Sequence, residues 1–165
     1  ISFQQIGVSH QSAFPQIKKR QLCMDLIQSF PRSPKVKMSG LVMLPRMIDK
    51  ARAYNAQTLG EYIFPCPLDK LILEFLDTDH EEIICLAKKL TDEEIALWVD
   101  KQCLNHSRED KEQINQKILE RKPDNQECLD RFNGFRDRIN PSRTDITTWV
   151  DLLELDENRI PPKTL

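Results

Sequence analysis

Apolar residues recur three and four positions apart through most of the chain, and the alternating Val/Ile/Thr runs that make strands are nearly absent. The pattern predicts an all-α protein. Over 15–30, Ile17, Met24, Ile27 and Phe30 mark a first helix that Pro31 ends, and FPRSPKVKMSG after it reads as an irregular loop. Leu44, Met47, Ile48, Ala51 and Tyr54 share one face of the next helix. Pro45 suits its first turn, where a missing amide hydrogen has no partner to lose. Gly60, Pro65 and Pro67 close that unit.

Helices are expected at about 68–76 and 79–90. TDEEIALWVDKQCL and SREDKEQINQKILE each open with a capping box, Thr91 with Glu94 and Ser107 with Asp110. In the first of these, Ile95, Trp98, Val99 and Gln102 have core spacing. Pro123 reopens the chain into a helix to about 139, with the apolar stripe Leu129, Phe132, Phe135 and Ile139 and a Gly134 that suggests a kink or a close approach. A short last helix is expected after Asp145 as its cap, burying Trp149, Leu152, Leu153 and Leu155. The expected organisation is a partly helical extension over 1–23, one compact multi-helix domain with irregular Pro-rich loops over 24–160, and a tail over 161–165.

Composition narrows the class. A chain of 165 residues is long enough for one domain with a proper core, and it has 24 basic against 26 acidic residues, a formal charge of -2. That balance predicts neither a nucleic-acid nor a membrane partner. Cys23, Cys66, Cys85, Cys103 and Cys128 are odd in number and contain no C-x-x-C pair, so they read as reduced, mostly buried thiols of a cytoplasmic chain. No run of about 18 apolar residues exists for a membrane helix. His10, His80 and His106 lack the spacing of a helical metal pair, so no metal and no cofactor is expected.

Charge is concentrated in two places. Arg46, Asp49, Lys50 and Arg52 crowd one helix, followed by Glu61, Tyr62 and Asp69. Arg46 and Lys50 are four apart on a flank of the core face, where like charges repel by roughly 0.2–0.5 kcal/mol. An anion beside them, either a carboxylate from another segment or a ligand, would remove that penalty. Asp49 and Arg52, three apart, are expected to pair with each other. In SRTDITTWVDLLELDENR, Asp156 falls within the apolar stripe and requires a cation, with Arg46, Lys50, Arg143 and Arg159 as the available partners.

FPRSP, LPRMIDKARA, GEY, CPLD and RTDITTWVDLLELDE, in this order and at these intervals, resemble a bacterial family known as domain of unknown function 5069. The resemblance covers about 24–159 and implies a single, mainly helical domain without implying an activity. The chain departs from the family pattern at Glu154 and Asn158, where the pattern carries an aspartate and a glycine. A tight turn after Glu157 is therefore not expected.

Two functions follow as expectations. In the first, the Arg46–Asp69 and Arg143–Asp156 segments converge on a polar pocket for a small anionic molecule, in a binding protein or a cofactor-independent enzyme. Arg46, Lys50, Arg143, Asp145 and Trp149 would line the site, with Glu61 or Asp69 as general base and Tyr62 as hydrogen-bond donor. Cys66 between two prolines is a lesser candidate nucleophile, with no histidine near it in sequence. In the second, the same charges form an internal salt-bridge scaffold, and the domain is an interaction or assembly module with a protein partner.

Overall fold

The computed structural model describes residues 23–160, which form seven helices and no strand. They are α1 (Leu44–Asn55), α2 (Pro67–Phe75), α3 (His80–Lys89), α4 (Asp92–Gln102), α5 (Arg108–Leu119), α6 (Gln126–Ile139) and α7 (Trp149–Asp156). The capping signals place most of the starts. Thr91 and Ser107 accept from Glu94 and Asp110 amides, and Asp79 and Asn125 cap α3 and α6 in the same way. The last helix starts later than expected: its cap is Thr148, which accepts from the Asp151 amide at 3.1 Å, and not Asp145.

Half of the helix expected over 15–30 lies outside the described residues, and the described half, 23–30, is not a helix but holds a turn around Leu26–Ser29. Pro31 and Pro34 follow closely, which leaves that end no room to add a helical turn.

Every residue from 41 to 53 is buried. α1 is therefore enclosed on all sides, against α3 and α2 among the helices and against the segments that flank it. Leu41, Leu44, Met47, Ile48 and Ala51 meet Leu68 and Ile72 of α2, Ile83 and Ala87 of α3, Ile95 and Val99 of α4, and Ile118 of α5 in one core. A second, smaller cluster joins Phe132 of α6 to Ile146, Leu152 and Leu155. Trp149 touches both clusters and meets the Phe132 ring edge-on at 5.0 Å.

The loop before α1 is tied down by a buried polar side chain. Asn115 of α5 donates to the Gly40 carbonyl at 2.8 Å and accepts from the Val42 amide at 2.9 Å, which gives that backbone partners it would otherwise lack in the interior.

Several expected burials are not observed. Tyr54 is half exposed, because α1 ends one residue later and the chain turns outward through Gln57 in the left-handed region. Gln102 is exposed, as the last residue of α4. Of the five thiols only Cys103 is buried. In the α6 stripe only Phe132 is buried, while Leu129, Phe135 and Ile139 are each at least 40% exposed, because α6 packs chiefly on one neighbour, α7.

Gly134 sits on the open side of α6 with nothing within 4 Å of an added Cβ, so it is not a point of close approach. Gly134→Ala is therefore expected to stabilise the protein by about 0.5–1 kcal/mol, read as a rise in the unfolding midpoint in urea. A lower midpoint would mean that the bare backbone at this position does structural work.

Candidate functional site

A helix enclosed on all sides cannot leave its charges in water, and α1 carries four within seven residues: Arg46, Asp49, Lys50 and Arg52, all at most 5% exposed. Each must be paired or incur several kcal/mol of desolvation. Each is paired, and with a different segment.

Arg46 holds Glu157 by a two-pronged fork, its two terminal nitrogens donating at 2.9 and 2.6 Å, and also donates to the Arg32 carbonyl at 3.2 Å. The Tyr62 hydroxyl donates to the same carboxylate at 2.9 Å, and the Arg46 guanidinium lies 5.5 Å from the centre of the Tyr62 ring. Arg159 adds a further hydrogen bond to Glu157 and one to Glu154, and reaches the Pro31 carbonyl. Burial alone would push the Glu157 carboxyl up, but the Arg46 fork, Tyr62 and Arg159 outweigh it and hold the group below its ordinary value. The same burial, with Glu157 beside it, pushes the Tyr62 phenol well up, so it remains a donor.

The turn that aims Glu157 inward closes in a Schellman arrangement. The Arg159 amide bonds the Glu154 carbonyl at 2.8 Å and the Asn158 amide bonds that of Leu155, with Asn158 in the left-handed region at φ 57°. A tight turn thus exists without a glycine, contrary to expectation, because asparagine tolerates that region better than other non-glycine residues. Asp156, expected to need a cation in the apolar stripe, is exposed, since α7 ends there. Its carboxyl is raised by partial burial and by the neighbouring Glu157 and Glu61.

Lys50 donates to Asp69 at 2.5 Å, to the Cys66 sulfur at 3.3 Å and to the Ile63 carbonyl at 3.3 Å. Asp69 also accepts the Cys66 amide at 2.8 Å, capping α2 with the oxygen that holds Lys50. Asp49 and Arg52 do not pair with each other as expected. Both are drawn to charges outside the helix: Arg32 forks onto Asp49 at 2.7 and 3.0 Å and reaches Asp92 at 2.6 Å, and Asp92 accepts Arg52 at 2.7 Å. The result is a chain Asp49–Arg32–Asp92–Arg52 that locks the loop before α1 to the start of α4. Although burial opposes it, Arg32 and Arg52 hold the Asp92 carboxyl below its ordinary value.

The Arg46–Asp69 segment therefore meets Glu157, the residue just beyond the expected Arg143–Asp156 segment, and through direct contact. Tyr62 joins Arg46 there, and Asp69 lies with Lys50. Glu61 is exposed, and Arg143 forms its own two-pronged pair with Asp145 at 3.0 Å. Trp149 fills the seam between the two apolar clusters. Cys66, the lesser nucleophile candidate, is pushed up by burial and by Asp69, which disfavours the reactive thiolate. Surface hollows lie elsewhere: one of about 610 Å³ is bordered by Tyr54, Asn55, Gln57, Leu59 and Gly60, and another of about 360 Å³ by residues between Leu73 and Glu82.

Sequence reasoning missed Arg32, Asp92 and Glu157. The signal for Arg32 and Glu157 was their place inside FPRSP and LELDENR. Asp92 was concealed as the first residue of an ordinary capped helix. Among the described residues no His, Cys, Asp and Glu group could hold a metal ion, and no helix is long and apolar enough to cross a membrane.

Compared with known proteins, residues 28–159 match a family model described as a domain of unknown function, DUF5069. No curated protein matches the chain.

Arg46→Ala leaves Glu157 enclosed without its fork and is expected to cost roughly 3–5 kcal/mol in denaturant unfolding. A loss under about 1 kcal/mol would mean that the pair is replaced by water at no structural cost. Acid should act through the same groups. Glu157 and Asp92 both have folded values below their ordinary 4.5 and 3.8, so their contribution is present above those values and is lost as pH falls through the depressed ones. The thermal midpoint is expected to fall steeply below about pH 4.5, and Glu157→Gln should flatten that fall relative to its own midpoint at neutral pH.

Proposed function

Because the chain belongs to the DUF5069 family, whose description attaches no activity to it, we propose from geometry that it is a protein-interaction module held rigid by an internal ion-pair scaffold. The observation that carries this reading is the α6 stripe. The longest described helix turns Leu129, Phe135 and Ile139 outward at 40%, 42% and 40% exposure, on the side of the molecule where it packs on α7 alone to any extent. A row of large apolar side chains at helical spacing suits the apolar face of a helical partner. Arg138 lies over the Phe135 ring at 4.7 Å and would frame such a contact with charge.

The pocket reading places its ligand on Arg46 and Lys50. Both are enclosed and already hold carboxylates, so an incoming anion would have to displace Glu157 or Asp69. Arg143 likewise has Asp145. That commitment favours the module.

Two measurements separate the readings. The double variant Leu129→Lys/Phe135→Glu is expected to leave the unfolding midpoint within about 1 kcal/mol of the parent while abolishing stoichiometric co-purification with a protein partner. Retained co-purification would exclude this face. A small anion that raises the melting temperature of the parent but not of Asp69→Ala, with both proteins folded, would overturn the module reading in favour of a ligand site.

A further inference from the structure

We propose that Lys50 and Cys66 are an oxidation site, at which dioxygen joins the lysine nitrogen to the cysteine sulfur through one inserted oxygen atom and ties α1 covalently to the start of α2. This goes beyond the interaction reading and does not depend on it. Three features of one small volume carry it. The Lys50 nitrogen is 3.3 Å from the Cys66 sulfur, in a place where Lys50 is only 2% exposed and its head group cannot swing away into water. Cys66, by contrast, caps the start of α2 and is partly exposed, so the pair lies at the edge of the interior and not at its centre. The third feature is Asp69: fully enclosed, it takes a 2.5 Å hydrogen bond from Lys50 on one oxygen while the other has no hydrogen-bond partner.

That carboxylate supplies the step a lysine needs before it can react. The Lys50 ammonium passes a proton along the 2.5 Å hydrogen bond to Asp69, which leaves a neutral amine beside a neutral thiol. The S–H bond and one N–H bond then break, and S–O and O–N bonds form to one atom of dioxygen. The second oxygen atom leaves as water with the two hydrogens. Sulfur and nitrogen give up two electrons each, and dioxygen takes the four. An inserted oxygen spans two single bonds, so the nitrogen and sulfur need to close far less than for a direct S–N bond, which suits a densely packed interior. In the product a buried ion pair is replaced by neutral groups and a covalent tie across 16 residues of sequence.

The test is peptide mapping of the full chain under non-reducing conditions after incubation in air-saturated buffer, with Cys23 and Cys85, both exposed, as internal reporters of oxidation. The expected product is the Lys50 and Cys66 peptides joined, with the mass of their sum plus one oxygen and minus two hydrogens, released by dithiothreitol. Lys50→Arg, which retains a cation for Asp69, and Cys66→Ser should each abolish it. If either variant fails to fold, the other serves, and the parent mass stands by itself. Four results would overturn the proposal: Cys66 found free when Cys23 and Cys85 are oxidised, Cys66 carried to a sulfinic acid beside an unmodified Lys50, a joined mass lacking the extra oxygen, or a joined mass that persists in Lys50→Arg.

Discussion

The enclosure of α1 is the constraint on which the rest of the structure depends. A helix buried on every face is usually apolar all round, yet this one carries two arginines, a lysine and an aspartate in ten consecutive buried positions. Water is not available to them, so the protein must bring a counter-charge to each. It brings Glu157 from beyond α7, Asp69 from α2, Arg32 from the preceding loop and Asp92 from α4. Those four requirements assign places to segments that have little apolar surface of their own. The 31–34 stretch, with no regular structure, buries Pro31 and Pro34 and is held in addition by Arg32 and by the carbonyl contacts of Pro31 and Arg32.

Such pairs are poor sources of net stability, since taking two charges from water costs about what their attraction returns. Their effect is on choice among arrangements. An apolar contact tolerates a slide of one turn, whereas the Arg46 fork, with two short donors on one carboxylate, does not. The same logic applies to Asn115, whose amide fits both a carbonyl and an amide of the 40–42 backbone and no other register. Polar groups thus specify where α1 sits, and the surrounding Leu, Ile and Met side chains supply the driving force.

Rigidity inside is matched by incompleteness outside. α6 shares only the small Phe132 cluster with α7 and leaves Leu129, Phe135 and Ile139 of its stripe at 40–42% exposure. Trp149 links this part to the main core, with one side on Phe132 and the other on the larger cluster. A contact made on α6 would therefore be felt first at Trp149.

The local elements were legible in the sequence because their causes are local. The boxes at Thr91 and Ser107, the acidic start after Asp79 and the proline at α1 each act within one helical turn, and all appear where expected. Part of the likeness to the family lies in charged positions that the ion-pair network uses, Arg32, Arg46, Asp49, Lys50, Arg52, Asp69 and Glu157. What could not be read was which charge meets which. Asp49 and Arg52 looked like a pair at three residues' separation, yet the partners lie 17 and 40 residues away, and Asp156 was taken for Glu157 because the end of α7 decides which of the two faces inward. Periodicity says which side of a helix is apolar, but it is silent on how many sides are covered. Most of the helices and their caps were set locally, through interactions spanning a few residues, the cap of α7 at Thr148 and the turn around Leu26–Ser29 excepted. Only the tertiary structure decided that α1 is enclosed all round and that its charges face protein instead of water, because burial depends on neighbours that arrive from distant parts of the chain.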